Sequence, residues 1–199
     1  MKTALAEVSA DIVALAEKCQ YEQVHTWRVT FLALRLFDEL KDELHLPAEV
    51  KRYLACAAVL HDIGWVRSGK AHHKTAYEII VENRPESLTA EEAEIVALVA
   101  RYHRKSPPST DHAEFARLSV LNREIVRKLA ALLRIADGLD RGHRSNVLDL
   151  WVELNPLNVT IWLKAERPPD VEIWGAKRKL ELLSELLSRE VQFSVRPAI

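Results

Sequence analysis

Cysteine is almost missing: Cys19 and Cys56 are the only two in 199 residues. No disulfide framework can staple the fold, and Cys56 lies in an apolar run, so both read as reduced thiols of a cytoplasmic protein. Glycine (five) and proline (eight) are scarce, which suits a mostly helical chain. Neither sign of charge dominates. Lys and Arg number 28, Asp and Glu 29, for a net charge of −1, so charge points neither to nucleic acid nor to a membrane surface. No uncharged apolar run approaches membrane-spanning length. The N-terminus, with Glu7, Asp11 and Glu17, reads as an acidic amphipathic helix and not a signal peptide. Repeats and low-complexity segments are also lacking. What is plentiful is apolar material, 48% of the chain, enough for one large domain or one domain with a small appendage.

The most informative stretch is Leu54-Ala55-Cys56-Ala57-Ala58-Val59-Leu60-His61-Asp62-Ile63-Gly64. A helix this apolar belongs in the core. Its last turn carries an imidazole and a carboxylate inward, and a buried carboxylate must be paired or bound to metal. Gly64 suits a left-handed helix end. Other helices are expected over residues 3–19 (Leu5, Val8, Ile12, Leu15 at helical spacing), 23–44, Pro47 to Asp62, 71–83, from Thr89 as N-cap to Tyr102, 111–118 and 122–139.

After His143 the period changes from helical to two. Leu148, Leu150, Val152 and Leu154 alternate with polar residues, as do Val159, Ile161 and Leu163, then Val171 and Ile173. A helix over 176–189 and a last strand through Val191, Phe193 and Val195 complete a small antiparallel sheet covered by one helix. Trp151, Trp162 and Trp174 fall on the opposite face, which implies a cover: the helical domain first, a partner copy in a homodimer second. The expected division is residues 1–144, helical, and 145–199, small α+β.

Four residues share one chemistry. His25 opens a buried helix, His61-Asp62 ends another, and Asp137 lies four residues after Leu133 on the buried side of a fourth. Imidazole with carboxylate suits a divalent ion such as Mn, Fe, Co, Ni or Zn, with Mg as a further candidate. Asp62 and Asp137 without a cation repel, which pushes one toward protonation. His72 or His73, together with His103, can extend the set to a second ion bridged by Asp62. Two metals a few Å apart can activate water and clamp a phosphate for in-line attack.

This pattern resembles the HD superfamily of metal-dependent phosphohydrolases: a His, a later His-Asp, and a distant Asp, each on a helix. Longer stretches are similar to the C-terminal HD module of the exopolyphosphatase / guanosine pentaphosphate phosphatase family. They are Gly69-Lys70-Ala71-His72-His73-Lys74-Thr75-Ala76-Tyr77, Arg101-Tyr102-His103-Arg104-Lys105-Ser106-Pro107-Pro108 and Leu129 to Arg141, within a resemblance running from about Val24 to Val195. That family keeps its exopolyphosphatase site in an actin-like ATPase domain, and no Gly-rich phosphate loop precedes residue 64 here, so the resemblance implies an HD module standing alone. In binuclear HD proteins the extra His begins a helix with a small residue four positions on. His72 has Ala76 there and His73 has Tyr77, which favours His72.

The expectations are therefore a mainly α HD-type fold with a small C-terminal α+β appendage, and a binuclear phosphohydrolase acting on a small phosphorylated compound, a nucleotide first. His25, His61, Asp62 and Asp137 hold one ion and Asp62, His72 and His103 the other. His61 and Asp62 are also the expected catalytic residues, and Arg28, Lys74, Arg101, Arg104, Lys105 and Arg141 the expected substrate-binding residues, Arg being suited to phosphate. Lys177-Arg178-Lys179 reads as solvated surface. The rival class is a non-catalytic nucleotide- or polyphosphate-binding module that regulates a partner with an exopolyphosphatase-like ATPase fold. Metal-supported turnover separates the two.

Overall fold

A computed structural model describes residues 8–67 and 69–196. Helices α1 (Ala10–Lys18), α2 (Gln23–Leu40), α3 (Lys51–Leu60), α4 (His72–Glu82), α5 (Ala90–Arg101), α6 (Ala113–Ala116) and α7 (Val120–Gly138) come first. Strands β1 (Val147–Leu154) and β2 (Asn158–Ala165), helices α8 (Asp170–Lys177) and α9 (Glu181–Leu187), and strand β3 (Glu190–Val195) follow. Leu5 and the start of the helix expected over 3–19 lie outside the described residues. No helix among the described residues is long and apolar enough to cross a membrane.

The helices form where the apolar spacing places them. α2 buries Val29, Leu32, Ala33, Leu36, Phe37 and Leu40, and α7 buries Val126, Leu129, Leu132, Leu133 and Ala136. Helix α5 starts at a complete capping box: Thr89 accepts from the Glu92 N–H while Glu92 accepts from the Thr89 N–H. Helices α2, α3, α5 and α7 pack on one another. A single apolar core continues from Ile12 through these helices to Ile161 and Val191 in the sheet.

The appendage is α+β as read, with three differences, the first being that the one helix expected over 176–189 is two, α8 and α9, with a break between Lys177 and Glu181. Val171 and Ile173 belong to helix α8 and not to a strand. The sheet, ordered β1-β2-β3, is mixed: β1 and β2 pair antiparallel, but β2 and β3 pair parallel. A parallel partner requires a crossover, and residues 166–189 with α8 and α9 supply it. Period-two spacing alone does not reveal strand direction. In β1 the register shifts between Val147 and Asp149. This bulge turns Val147 into the core beside Leu150, while Leu154, at the far end of the strand, is exposed.

Helix α2 blunts the free edge of β1. Arg35 donates to the Leu150 carbonyl at 2.9 Å, Glu39 accepts from the Val152 N–H at 2.9 Å, and Arg28 donates to the Leu148 carbonyl at 3.3 Å. The three tryptophans do not share one face. Trp151 and Trp162 stack on each other with centroids 6.1 Å apart, Arg196 lies over Trp151, and Trp174 is carried away on α8.

Glycines set two close approaches. None of the described glycines has positive φ, so Gly64 does not end α3 in the left-handed region. It makes room instead: a Cβ there would meet the His72 carbonyl oxygen at 1.9 Å. Gly138 and Gly175 face each other where α7 crosses α8, and a Cβ on Gly138 would lie 2.6 Å from the Ala176 Cα. Gly64→Ala is predicted to push the start of α4 outward at an overpacking cost of about 1–3 kcal/mol. Thermal unfolding should show a Tm several degrees lower. An unchanged Tm would mean that the backbone yields freely at this contact.

Candidate metal centre

Five chain segments end at one point. His25 comes from the first turn of α2, His61 and Asp62 from the end of α3, and His72 from the start of α4. His103 follows α5, and Asp137 lies in the last turn of α7. Helix ends suit this task because a rigid cylinder aims one side chain while the chain then turns away. Asp62 is central: its Oδ2 lies 3.9 Å from His25 Nε2 and 3.6 Å from His61 Nε2, and its Oδ1 lies 3.2 Å from His72 Nε2 and 3.5 Å from His103 Nε2. Asp137 Oδ1 adds contacts of 3.5 Å to His25 Nε2 and 3.8 Å to His61 Nε2. His25, His61 and Asp62 form one potential metal-binding set and Asp62, His72 and His103 another, with ligand atoms within 4.8 Å of one another in each. His73 points elsewhere and lines a separate pocket.

All four imidazoles are held by their other nitrogen. Nδ1 of His61 donates to the Ala58 carbonyl at 2.7 Å, His103 to Ala100 at 2.7 Å and His72 to Gly69 at 3.1 Å. A carbonyl cannot donate, so each of these rings carries its proton on Nδ1 and presents the Nε2 lone pair to the centre. His25 Nδ1 donates to Asp140 Oδ2 at 2.9 Å, and Asp140 is fully buried and also accepts from the Ser145 N–H. The Nε2 atoms of His25 and His61 are buried with no hydrogen-bond partner among the described residues. Buried polar atoms are rarely left unpaired, so the donor set fits a divalent cation in ligand type, in tautomer and in unmet demand.

A family model described as Ppx/GppA phosphatase, domain III matches residues 9–169. This chain belongs to the Ppx/GppA phosphatase domain III family. A comparison with curated proteins gave no match. The matched span takes in every residue of the His/Asp cluster and stops just before α8. The resemblance read from sequence runs further, to about Val195.

That boundary matters because α8 and the residues after it supply positive charge to the cluster of this Ppx/GppA domain III chain. Lys179 pairs with Asp137 Oδ2. Burial alone would raise both carboxyls. Instead the surrounding His61, His72 and His103 rings hold Asp62 far below the usual carboxylate range, and Lys179 with His25 does the same for Asp137. The expectation that one carboxylate is pushed toward protonation therefore fails, because Lys179 supplies the opposing charge. Burial would lower His25, but the facing Asp137 carboxylate and the hydrogen bond to Asp140 outweigh it and raise its pKa to about 10. A ligand role needs the neutral ring, so an ion bound there would release that proton. His103, fully enclosed and near His61, is pushed down to about 3.

The centre opens into a cavity of about 690 Å³. Of the expected substrate-binding residues, Arg104, Lys105 and Arg141 line it. Arg104 Nη1 also lies 2.9 Å from His72 Nε2. Arg28 is instead committed to the edge of β1. Lys74 and Arg101 line the separate pocket beside His73, and Arg101 pairs with Glu114 at 3.1 Å. Sequence reasoning missed Trp65, Trp174, Arg178 and Lys179, all of which line the main cavity. The reading of 177–179 as plain surface holds only for Lys177, which is exposed and outside the cavity lining. Asp140 was missed too, although its i+3 spacing from Asp137 offered a signal.

Arg134 fixes the far wall. It donates to the Tyr102 carbonyl at 2.9 Å and to the Lys105 carbonyl at 3.0 Å, across a turn in which Lys105 has φ of 59°. Arg134→Met is predicted to strip both bonds from the turn that carries His103. Hydrogen exchange at residues 103–106 should quicken, and stability should fall by about 2 kcal/mol. Exchange no faster than in wild type would show that the turn holds its own shape.

Proposed function

We propose that this Ppx/GppA domain III chain is a metal-dependent phosphohydrolase of the HD type that holds two divalent transition-metal ions and cleaves a phosphate ester or anhydride of a nucleotide. The observation that carries the reading is the pair of donor sets sharing Asp62, with three imidazoles fixed in the metal-binding tautomer and two Nε2 atoms left without a protein partner. His25, His61, Asp62 and Asp137 hold one ion; Asp62, His72 and His103 hold the other. Bound there, the pair supplies Lewis-acid polarisation of a phosphoryl oxygen and lowers the pKa of water to the neutral range.

The remaining work falls to the protein. Asp140 orients the His25 ring through Nδ1, and the carbonyls of Ala58, Ala100 and Gly69 orient the other three. Arg104, Lys105, Arg141 and Arg178 line the cavity and neutralise the outer phosphate oxygens. An ion at Asp137 would compete with Lys179 for that carboxylate, and Lys179, which lines the cavity, would then be free to donate to the substrate. The indoles of Trp65 and Trp174 are both more than half exposed on this cavity, which supports an aromatic base as part of the substrate. The Lys179–Asp137 pair also favours a second reading, in which protein cations permanently neutralise the cluster and the chain only binds its phosphorylated ligand.

Elemental analysis of untreated purified protein separates the two. Two transition-metal ions per chain are expected, with Asp62→Ala losing both and His72→Ala or His103→Ala losing one. Removal of metal should lower the Tm, since at a hundredfold excess over the dissociation constant the ion contributes about 2.7 kcal/mol to the folded state. A nucleotide panel should then show turnover that chelation abolishes and added metal restores. Protein with no bound ion and unchanged Tm after metal addition would sink the enzymatic reading.

A further inference from the structure

Behind the metal centre lies a second, smaller pocket, of about 260 Å³, lined by His73, Lys74, Arg101, Tyr102, Arg104, Lys105, Ser106 and His112. Four of these side chains are cations and none is a carboxylate. Arg101 is partly neutralised by Glu114, but no acidic partner is found for Lys74, Arg104 or Lys105 among the described ion pairs. His73 is 9% exposed, and its Nδ1 is buried with no hydrogen-bond partner among the described residues. Unsatisfied buried nitrogen is costly, and His73 is among the residues that line this basic cavity. A neutral imidazole with its proton on Nδ1 is a donor, as are Lys74, Arg104, Lys105 and the Ser106 hydroxyl. The lining is therefore rich in donors and in positive charge. Arg104 and Lys105 line both this pocket and the main cavity.

We infer that the pocket walled by His73, Lys74 and Ser106 is a phosphoryl-anion site, distinct from the metal centre and joined to it through Arg104 and Lys105. Its ligand is a phosphate dianion, either free or as a second phosphoryl group of the molecule held at the metals. Donors of this kind recognise tetrahedral oxyanions through charge-assisted hydrogen bonds, and Arg104 can serve a phosphate on each side of itself. The second form of the ligand rests on the phosphohydrolase reading; the first does not.

The test uses inorganic phosphate on the full chain stripped of metal, so that its result stands apart from any turnover. Amide resonances are followed by heteronuclear NMR during titration, in wild type, in His73→Phe, which keeps the ring's bulk, and in Lys74→Gln, which is exposed and safe for folding. Saturable shifts are expected at His73, Lys74, Ser106 and His112, with phosphate affinity reduced tenfold or more in both variants and Tm unchanged in Lys74→Gln. Shifts confined to the main cavity, or equal affinity in all three proteins, would overturn the proposal. The metal-loaded enzyme then distinguishes the two sources. If His73→Phe raises KM for a nucleoside diphosphate more than for the monophosphate, the pocket holds a second phosphoryl group of the substrate. If phosphate binding is lost and both KM values move alike, the site takes free phosphate.

Discussion

Four imidazoles and two carboxylates meet in the interior of this chain, and the arrangement depends on how the second nitrogen of each ring is occupied. A buried histidine with both nitrogens free could turn or change tautomer, and no fixed donor set would exist. Here three backbone carbonyls and one buried carboxylate take the Nδ1 protons. The carbonyls of Ala58 and Ala100 lie three residues before their own histidines, at the fraying end of a helix. There the carbonyls have spare acceptor capacity: that of Ala100 takes the His103 backbone N–H at 3.4 Å and the His103 ring besides. The helix end thus meets two needs at once: its free lone pairs are used, and its imidazole is aimed.

Much of this was legible in the sequence, and for a physical reason. Helical period and apolar runs report burial directly, so the Leu54–Leu60 run placed His61-Asp62 inside and Leu133 placed Asp137 beside them. The core helices, the Thr89 cap and the small C-terminal sheet follow from the same kind of signal. The structure also separates His72 from His73, one at the cluster and one facing the smaller pocket. Spacing alone cannot do this, because adjacent residues of a first turn differ by only about 100° around the axis.

What was not legible depends on tertiary crossings. Val171 and Ile173 alternate with polar neighbours as a strand does, yet that short segment is helical and docks through Gly175 on Gly138. A few residues of period two cannot be told from part of a helix by pattern. The same misreading hid Lys179, whose role arises only because α8 returns the chain to α7. Arg28 shows the opposite failure: its closeness in sequence to His25 suggested phosphate binding, but its guanidinium reaches the sheet edge instead.

The crossing of α7 and α8 has a kinetic side. Glycine faces glycine there, so the backbones touch and no intervening side chain can compress or rotate to let the helices part. The wall bearing Trp174, Arg178 and Lys179 thus has a rigid base, and its tips are tied to one another and to the cluster: Arg178 lies over the Trp174 ring and Lys179 pairs with Asp137. A molecule that crosses this wall must part those contacts, and breaking the Lys179–Asp137 pair uncovers a partly buried carboxylate. Collective opening of packed elements belongs to the microsecond-to-millisecond scale. Access at this wall is therefore set by side-chain contacts and not by separation of the two helices.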